Sequence, residues 1–150
     1  GGPRFDKPIL SKSGGPCGAS ISIGELLGDG SNGRADHALQ PGETIRSIAL
    51  STPLAGERAR HKRAISRSYA EWPLVEVCAR AVIADGAFKF VRIAAGGIAP
   101  VPLRLKATET ALEGRPPTEA TIANAAQIAT EGADRADDGL EKLFIDTCVV

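Results

Sequence analysis

The sequence predicts an α+β fold in which helices lie on one side of a small antiparallel sheet. Strand-like runs come first along the chain and helix-like runs follow, an order typical of this class. Asp85-Gly86 separates two β-type runs, which is one of the better short-range indications of a hairpin. Thr118 is a good N-cap for a helix over residues 119–131, and Gly132 is a natural terminator for it.

The first part of the chain predicts loops and one strand. Residues 1–20 are rich in Gly and Pro, and we predict a loop there. Gln40-Pro41-Gly42-Glu43 is typical of a type II turn, because Pro presets φ and Gly supplies a positive φ. Apolar and polar residues then alternate over residues 44–50, which predicts a strand. A break rich in Ser, Pro and Gly follows and predicts a boundary between two domains, residues 1–53 and 54–150.

The second predicted domain begins with strands and ends with helices. A basic run over residues 58–66 precedes an apolar run over residues 72–84. After Asp85-Gly86, alternation over residues 87–93 predicts the second arm of the hairpin. In that arm Phe88, Phe90 and Arg92 alternate with Lys89, Val91 and Ile93.

Two helical segments are predicted beyond the hairpin, and a third begins near the end of the chain. The first covers residues 103–112, after a break at Pro100 and Pro102; its Leu105, Thr108 and Leu112 share one helical face before a stop at Gly114. The predicted buried stripe of the helix over residues 119–131 consists of Ile122, Ala125, Ala126, Ile128 and Ala129. The amphipathic segment near the end starts with Leu140, Leu143 and Phe144.

Composition excludes several classes of protein. The 150 residues carry 18 basic and 18 acidic side chains, a balance that argues against a nucleic-acid binder. There is no apolar stretch of the length that a membrane-spanning helix needs. Three separated cysteines and two distant histidines form no disulfide or metal-binding pattern, and a reducing cytoplasm is the default compartment. Cys78 lies in an apolar run, where we predict a small buried side chain.

A series of ordered segments resembles the C-terminal portion of the FAD-binding (medium) subunit of molybdenum hydroxylases. That family includes xanthine dehydrogenase, aldehyde oxidoreductase and carbon monoxide dehydrogenase. The resemblance covers about residues 39–135. The segments are Leu39-Gln40-Pro41-Gly42-Glu43-Thr44-Ile45, Arg63-Ala64-Ile65-Ser66-Arg67-Ser68-Tyr69-Ala70 with the apolar run to Ala84, Asp85-Gly86, Arg92-Ile93-Ala94-Ala95-Gly96-Gly97-Ile98-Ala99-Pro100-Val101-Pro102-Leu103-Arg104 and Glu109-Thr110-Ala111-Leu112-Glu113-Gly114.

The resemblance implies a fold and an electron-transfer role. The implied fold is a three-stranded antiparallel sheet packed against a helix bundle and preceded by the tail of an FAD-binding domain. In such complexes a partner subunit with a molybdenum cofactor hydroxylates the substrate, and an iron–sulfur subunit carries electrons to FAD, which passes them to an acceptor. The implied partners are those two subunits, with no nucleic acid and no membrane. The chain itself is then a component of an oxidoreductase and has no catalytic site of its own.

The resemblance also implies residues beside the flavin. In the family the segment like residues 63–72 lines the flavin ring, so Arg63, Ser66 and Tyr69 are candidate cofactor-binding residues. The alternative for the basic residues of this region is a solvated strand face, and a nucleic-acid patch is a third hypothesis. Gly96 and Gly97 could allow close approach of a flavin, or simply form a turn that ends a strand.

The FAD diphosphate has no recognisable cradle in this sequence. The family holds that group mainly through glycine-rich loops of the N-terminal half, and residues 1–20 do not align with those loops. We therefore expect a truncated product or a fragment. Two hypotheses follow from this: the chain contributes to an FAD site, or it is a non-catalytic domain that docks a partner subunit and does not hold FAD by itself.

Overall fold

The chain separates into two compact units, Gly1–Pro53 and Leu54–Val150. The structure is a computed structural model that describes residues 9–13, 20–31, 37–64 and 74–131, with only the backbone for residues 9–13. No helix in these ranges is long and apolar enough to cross a membrane.

The described part of the first unit contains a three-stranded antiparallel sheet. Its strands are β1 (Ile9–Ser13), β2 (Ser20–Ser22) and β3 (Thr44–Ala49), in the order β2-β1-β3. Because β1 lies within residues 1–20, the prediction of a loop over that whole segment was wrong. The flanking Gly and Pro dominate the local composition, whereas this strand forms by pairing with β3, which is distant along the chain.

Local hydrogen bonds define the rest of the first unit. The short helix α1 (Ile23–Leu27) begins with a capping box, in which Ser22 Oγ accepts from the Glu25 N–H at 3.2 Å and the Glu25 carboxylate accepts from the Ser22 N–H at 2.7 Å. The turn predicted at residues 40–43 is present, with Gly42 at a φ of 85°. The predicted strand follows it as β3 and is exposed along its whole length.

The second unit is built on a four-stranded antiparallel sheet. Its strands are β4 (Glu57–Ala64), β5 (Val75–Ala84), β6 (Ala87–Gly96) and β7 (Leu103–Arg104), and they lie in chain order. The first three correspond to the three-stranded sheet that the family resemblance implies. The fourth has only two residues and directly follows Pro102, where we had predicted the start of a helical segment.

The predicted hairpin at Asp85-Gly86 is confirmed, and it joins β5 to β6. Asp85 has a φ of 51° and Gly86 a φ of 71°. Positive φ at both central residues is the geometry of a type I′ turn, which matches the twist of the flanking strands. Residue types at two adjacent positions therefore determine this turn.

A β-bulge in the same hairpin changes which side chains of β6 share a face. Val82 pairs with Phe90, but the next residue, Ile83, pairs with Phe88, so Lys89 is an extra residue on β6. A strict alternation would place Phe88 and Phe90 on the same face. The bulge instead turns Phe88 into the core, where it is 2% exposed, and leaves Phe90 half-buried on the other face.

Two helices follow the sheet, α2 (Lys106–Leu112) and α3 (Glu119–Glu131). Gly114 has a φ of 78° just after α2, which agrees with the predicted stop. Thr118 Oγ1 accepts a hydrogen bond from the Thr121 N–H at 3.3 Å, as expected of an N-cap. The predicted segment around residues 140–144 lies outside the described residues.

The core of the second unit lies between the sheet and the two helices. Ile128 is half-buried, whereas the other members of the predicted α3 stripe are buried. The buried apolar side chains form one cluster that contains Val75, Val77, Ala79, Phe88, Val91, Ile93, Ala95, Leu105, Leu112, Ile122, Ala125, Ala126 and Ala129. Because a small sheet is covered by helices on one face, the predicted α+β class is confirmed.

We call the opposite face of this sheet the open face. Strand alternation and the register of the sheet identify its residues, because they alternate with those of the core cluster. These residues are Glu57, Ala59, His61 and Arg63 on β4, Glu76, Cys78, Arg80 and Val82 on β5, and Phe90, Arg92, Ala94 and Gly96 on β6.

Candidate functional site

Three strand ends meet at one end of the sheet of the second unit. At this end, β4 ends at Ala64, β5 begins at Val75 and β6 ends at Gly96. The segments 65–73 and 97–102 connect strands here, so we call it the loop end of the sheet. The Asp85-Gly86 turn lies at the opposite end. Functional residues gather at loops that a rigid scaffold positions, which makes the loop end the candidate site.

The register of the sheet brings Arg63 and Gly96 into one cross-strand row. Arg63 pairs with Glu76, and Glu76 pairs with Gly96. Adjacent strands are about 4.8 Å apart, so the Cα atoms of Arg63 and Gly96 are separated by roughly 10 Å. Three of the predicted site residues, including Gly97 next to Gly96, therefore lie at the loop end. Their proximity depends on non-local pairing that the sequence does not reveal.

Ser66 and Tyr69, the other two predicted site residues, lie outside the described residues. The chain leaves the sheet after Ala64 and returns at Leu74, whose N–H donates to the Ala64 carbonyl at 2.9 Å. Both predicted residues belong to the segment that this hydrogen bond closes. Their role stays a prediction.

The basic residues of β4 do not form a single face. Arg58, Arg60 and Lys62 pair with Ala81, Ala79 and Val77, which puts these three cations on the side of the sheet that bears the helices. Arg63 lies on the open face, and all four basic side chains are exposed. The exposure of these side chains agrees with the hypothesis of a solvated strand face. That hypothesis put all the basic side chains on one face, whereas the structure divides them between two. Arg63 is thus separated from the other three by the plane of the sheet.

The two glycines at the loop end are glycines for different reasons. Gly97 has a φ of 83°, a conformation that residues with a Cβ rarely adopt. Gly96 has a negative φ, but an added Cβ would lie 2.9 Å from Glu76 Oε1 and 3.0 Å from Glu76 Cγ. The turn hypothesis therefore explains Gly97. At Gly96 the Glu76 side chain, from the neighbouring strand, occupies the space that a Cβ would need, which explains the glycine there.

Glu76 is the centre of a polar group on the open face that sequence reasoning missed. Its Oε2 lies 3.3 Å from His61 Nε2. Cys78 is exposed beside it, so the prediction of a buried cysteine was wrong. The apolar run alternates between two faces, and Cys78 falls on the open one. Partial burial, with a smaller contribution from the Glu76 charge, raises the pKa of the Cys78 thiol, which therefore stays protonated at neutral pH.

A second polar group lies beside the loop end and contains the buried carboxylate of Glu109, which is 4% exposed. It accepts hydrogen bonds from the Ile93 N–H at 3.0 Å and from Arg104 Nη2 at 2.9 Å. Hydrogen bonding to Glu109 raises the pKa of Arg104 above its already high ordinary value. Sequence reasoning missed this group. One feature of the sequence does point to a buried carboxylate: Glu109 lies three residues before Leu112, on the same helical face as the apolar stripe.

A third ion pair, at the start of β4, gives a pH-dependent prediction. Arg80 donates hydrogen bonds to both carboxylate oxygens of Glu57, one of them at 2.6 Å, and these bonds lower the Glu57 pKa below its ordinary value. A lowered pKa in the folded state contributes stability above about pH 4.5, and this stability is lost as the pH falls through the folded-state value.

Glu57→Gln should therefore lower the free energy of unfolding at pH 7 by up to about 1 kcal/mol, and this difference should shrink as the pH falls below 4.5 and disappear once it is below the folded-state pKa of Glu57. Urea denaturation monitored by circular dichroism at pH 7 and in acid measures it. Glu131→Gln, at an exposed position, serves as the control. A difference between wild type and Glu57→Gln that persisted in acid would contradict the prediction.

Among the described residues, no three His, Cys, Asp or Glu side chains are grouped so that they could hold a metal ion. The described side chains at and beside the loop end include the guanidinium of Arg63, the carboxylate of Glu76, the imidazole of His61 and the thiol of Cys78, which pairs with His61 across the strands. Together with the glycine backbone, such groups can bind and orient a polar ring or an anion.

This fold defines a two-layer sheet–helix domain with a candidate binding surface at one end of its sheet. The family model for the CO dehydrogenase flavoprotein C-terminal domain matches residues 60–140. The chain therefore belongs to that family, and the resemblance to the C-terminal portion of molybdenum hydroxylase FAD-binding subunits is confirmed.

Solved structures of related enzymes share the fold. A chain of carbon monoxide dehydrogenase from Hydrogenophaga pseudoflava, in a form that lacks the Mo-pyranopterin moiety of the molybdenum cofactor, matches with a TM-score of 0.77 and 19% identity over 95% of this chain and 51% of that chain. A chain of quinoline 2-oxidoreductase from Pseudomonas putida 86 matches with a TM-score of 0.77 and 20% identity over 96% of this chain and 52% of that chain.

Reconstituted CO dehydrogenase from Oligotropha carboxidovorans gives a TM-score of 0.72 and 16% identity over 95% of this chain and 49% of that chain. The present chain thus spans about half the length of the structures that it matches. No curated protein matched the chain in sequence.

Proposed function

We propose that this chain is the C-terminal half of an FAD-binding electron-transfer subunit, and that its loop end faces the flavin ring. The observation that carries the proposal is the row Arg63–Glu76–Gly96, which places predicted site residues from two separate sequence segments together. Membership of a flavoprotein family supports the choice of cofactor. The whole subunit then has two domains, of which residues 54–150 form the second and residues 1–53 end the first.

The described residues fit the ring of FAD better than its diphosphate. Arg63 offers an exposed cation on the open face, and Gly97, two strands away at the same end of the sheet, offers backbone without a side chain. A diphosphate needs several backbone N–H groups that converge on it. We assign the diphosphate to residues other than those described at the loop end.

FAD would supply the ability to accept electrons and to release them to another acceptor. The role of Arg63 is electrostatic: its guanidinium stabilises the negative charge that a reduced flavin carries. Ser66 and Tyr69 are proposed to donate hydrogen bonds to the ring. The exposed backbone of Gly97 is proposed to let the ring approach, with Gly96, which is buried beside the Glu76 carboxylate, preceding it in the chain.

The proposed setting is a cytoplasmic hetero-oligomer of the molybdenum hydroxylase kind. An iron–sulfur subunit supplies electrons to this chain, and a subunit with a molybdenum cofactor performs the hydroxylation. The exposed thiol of Cys78 is compatible with a reducing compartment. The electrons arrive from outside the chain, so it needs no nucleophile or general base of its own.

An absorption spectrum tests the FAD assignment. The purified chain is incubated with FAD, desalted and scanned from about 300 to 550 nm, the range of oxidised flavin absorption. A retained flavin band is the expected result, with Arg60→Ala as a control that should retain it equally because Arg60 lies on the other side of the sheet. Complete loss of flavin from the wild-type chain would overturn the FAD assignment and favour the alternative, a domain that only docks a partner subunit.

A further inference from the structure

The connection between β6 and β7 is held by few backbone pairs. β7 has two residues, and its pairs with β6 are Ala94 with Arg104 and Ala95 with Leu103. Beyond these pairs lies the segment 97–102, which we call the β6–β7 loop. A strand of this length contributes little pairing energy, so the loop needs other contacts to keep a single conformation.

The Glu109 carboxylate makes such contacts with both strands of the connection. On β6 it accepts from the Ile93 N–H at 3.0 Å, and on β7 it accepts from Arg104 Nε at 3.0 Å and Nη2 at 2.9 Å. Glu109 itself lies in α2. One side chain therefore joins β6, β7 and a helix, directly next to the loop end of the sheet.

Burial and charge make these contacts strong and specific. A buried carboxylate is stable only if its oxygens are hydrogen-bonded and its charge is compensated. Here the guanidinium of Arg104 binds side-on with two nitrogens, and Arg92 Nη1 lies 3.7 Å from the same carboxylate. Because the two N–H donors of Arg104 lie in one rigid plane, they also fix the orientation of its side chain relative to the Glu109 carboxylate. The carboxylate thus determines where the first residues after Pro102 lie.

We propose that Glu109 is a positioning residue, which holds the β6–β7 loop so that the exposed backbone of Gly97 presents one fixed surface to the flavin. This rests on the proposed function of the loop end. The residue touches no ligand itself. It acts through Arg104 and the Ile93 amide, which lies three residues before Gly96.

The test uses Glu109→Gln in the full chain, which keeps the side-chain shape and one oxygen acceptor but removes the charge. Hydrogen–deuterium exchange read by mass spectrometry should show amides of residues 94–105 exchanging on the order of tenfold faster. The matched control is Glu113→Gln. Glu113 is an exposed carboxylate just after α2, and it binds Arg92 at 2.9 Å, whereas its influence on Arg104 is only through charge and ranks below that of Glu109.

A flavin readout separates positioning from simple stability. The dissociation constant for FAD should rise on the order of tenfold in Glu109→Gln and should stay within about twofold of wild type in Glu113→Gln. Glu109→Asp keeps the charge and should recover part of both the exchange protection and the affinity. If Glu109→Gln fails to fold, Arg104→Lys takes its place in the test. It keeps the positive charge but loses the two-nitrogen geometry, so its exchange rate and its FAD dissociation constant should lie between those of wild type and those expected for Glu109→Gln.

Three results would overturn the proposal, and they differ from one another. Equal exchange in Glu109→Gln and Glu113→Gln would show that the carboxylate does not hold the loop. Faster exchange with unchanged FAD affinity would show that the loop is held but does not position the flavin, and the proposed function would survive. Absence of FAD binding by the wild-type chain would remove the proposed function and the positioning role together.

Discussion

Phe88→Ala is expected to lower the free energy of unfolding of the second unit by about 3–5 kcal/mol. Phe88 is 2% exposed and belongs to the cluster between sheet and helices. Truncation removes buried apolar surface and leaves a cavity that the surrounding strands cannot fully close. Because a domain of this size has a total stability of about 5–15 kcal/mol, this loss is a large fraction of the total.

Phe90→Ala is the matched control for this prediction. Phe90 is the same residue type on the same strand, but the bulge turns it to the open face, where its ring lies 4.5 Å from the Arg92 guanidinium. Its truncation should cost about 1–2 kcal/mol. Urea denaturation followed by far-UV circular dichroism compares the two variants. Equal losses would mean that the bulge between Val82 and Ile83 is not where the structure places it.

Arg63→Ala is expected to lower the reduction potential of the bound flavin by about 40 mV. A guanidinium held about 7 Å from a bound ring would contribute about 2 kcal/mol at an effective dielectric constant of about 20. For a two-electron couple, about 30 mV corresponds to 1.4 kcal/mol. Removing the cation disfavours the reduced, negatively charged flavin, so the potential falls.

Arg60→Ala is the control for Arg63→Ala. It removes the same charge from the same strand, but Arg60 pairs with Ala79 and lies on the helix side of the sheet. Its effect on the potential should be below about 10 mV, because distance and solvent screen that charge. Spectroscopic redox titration in the presence of FAD measures both variants. A potential that stayed unchanged in Arg63→Ala would rule out an electrostatic role for this residue.

Elements with local causes could be predicted from the sequence. The Asp85-Gly86 turn needs positive φ at two adjacent residues, and these two residue types supply it. The start of α3 at Thr118 and the turn at residues 40–43 are also determined within a few residues. In each case the side chains that determine the backbone are adjacent to the backbone that they shape.

Elements that depend on pairing between distant segments could not be predicted. The bulge that separates Phe88 from Phe90 arises from the register between β5 and β6, and a strict alternation of residue types conceals it. β1 lies among Gly and Pro and forms by pairing with β3. β7 likewise forms by pairing with β6.

The candidate site was predicted as a set of residues, but its arrangement was not. Gly96 and Arg63 are far apart in sequence, and only the register puts Glu76 between them. The buried carboxylate of Glu109 was missed because a charged residue on a helix is usually exposed. Cys78 was assigned to the core because the apolar run conceals which of its residues face away from the helices.

The most direct test of the central claim is to locate where FAD contacts the chain. Two-dimensional 1H–15N NMR spectra of the labelled chain, recorded with and without FAD, follow each backbone amide separately. We predict that the amides of Arg63, Gly96 and Gly97 at the loop end shift, while those of Asp85 and Gly86 at the opposite end stay in place. Shifts confined to the Asp85-Gly86 end, or no shifts at saturating FAD, would contradict the assignment of the loop end as the flavin-facing site.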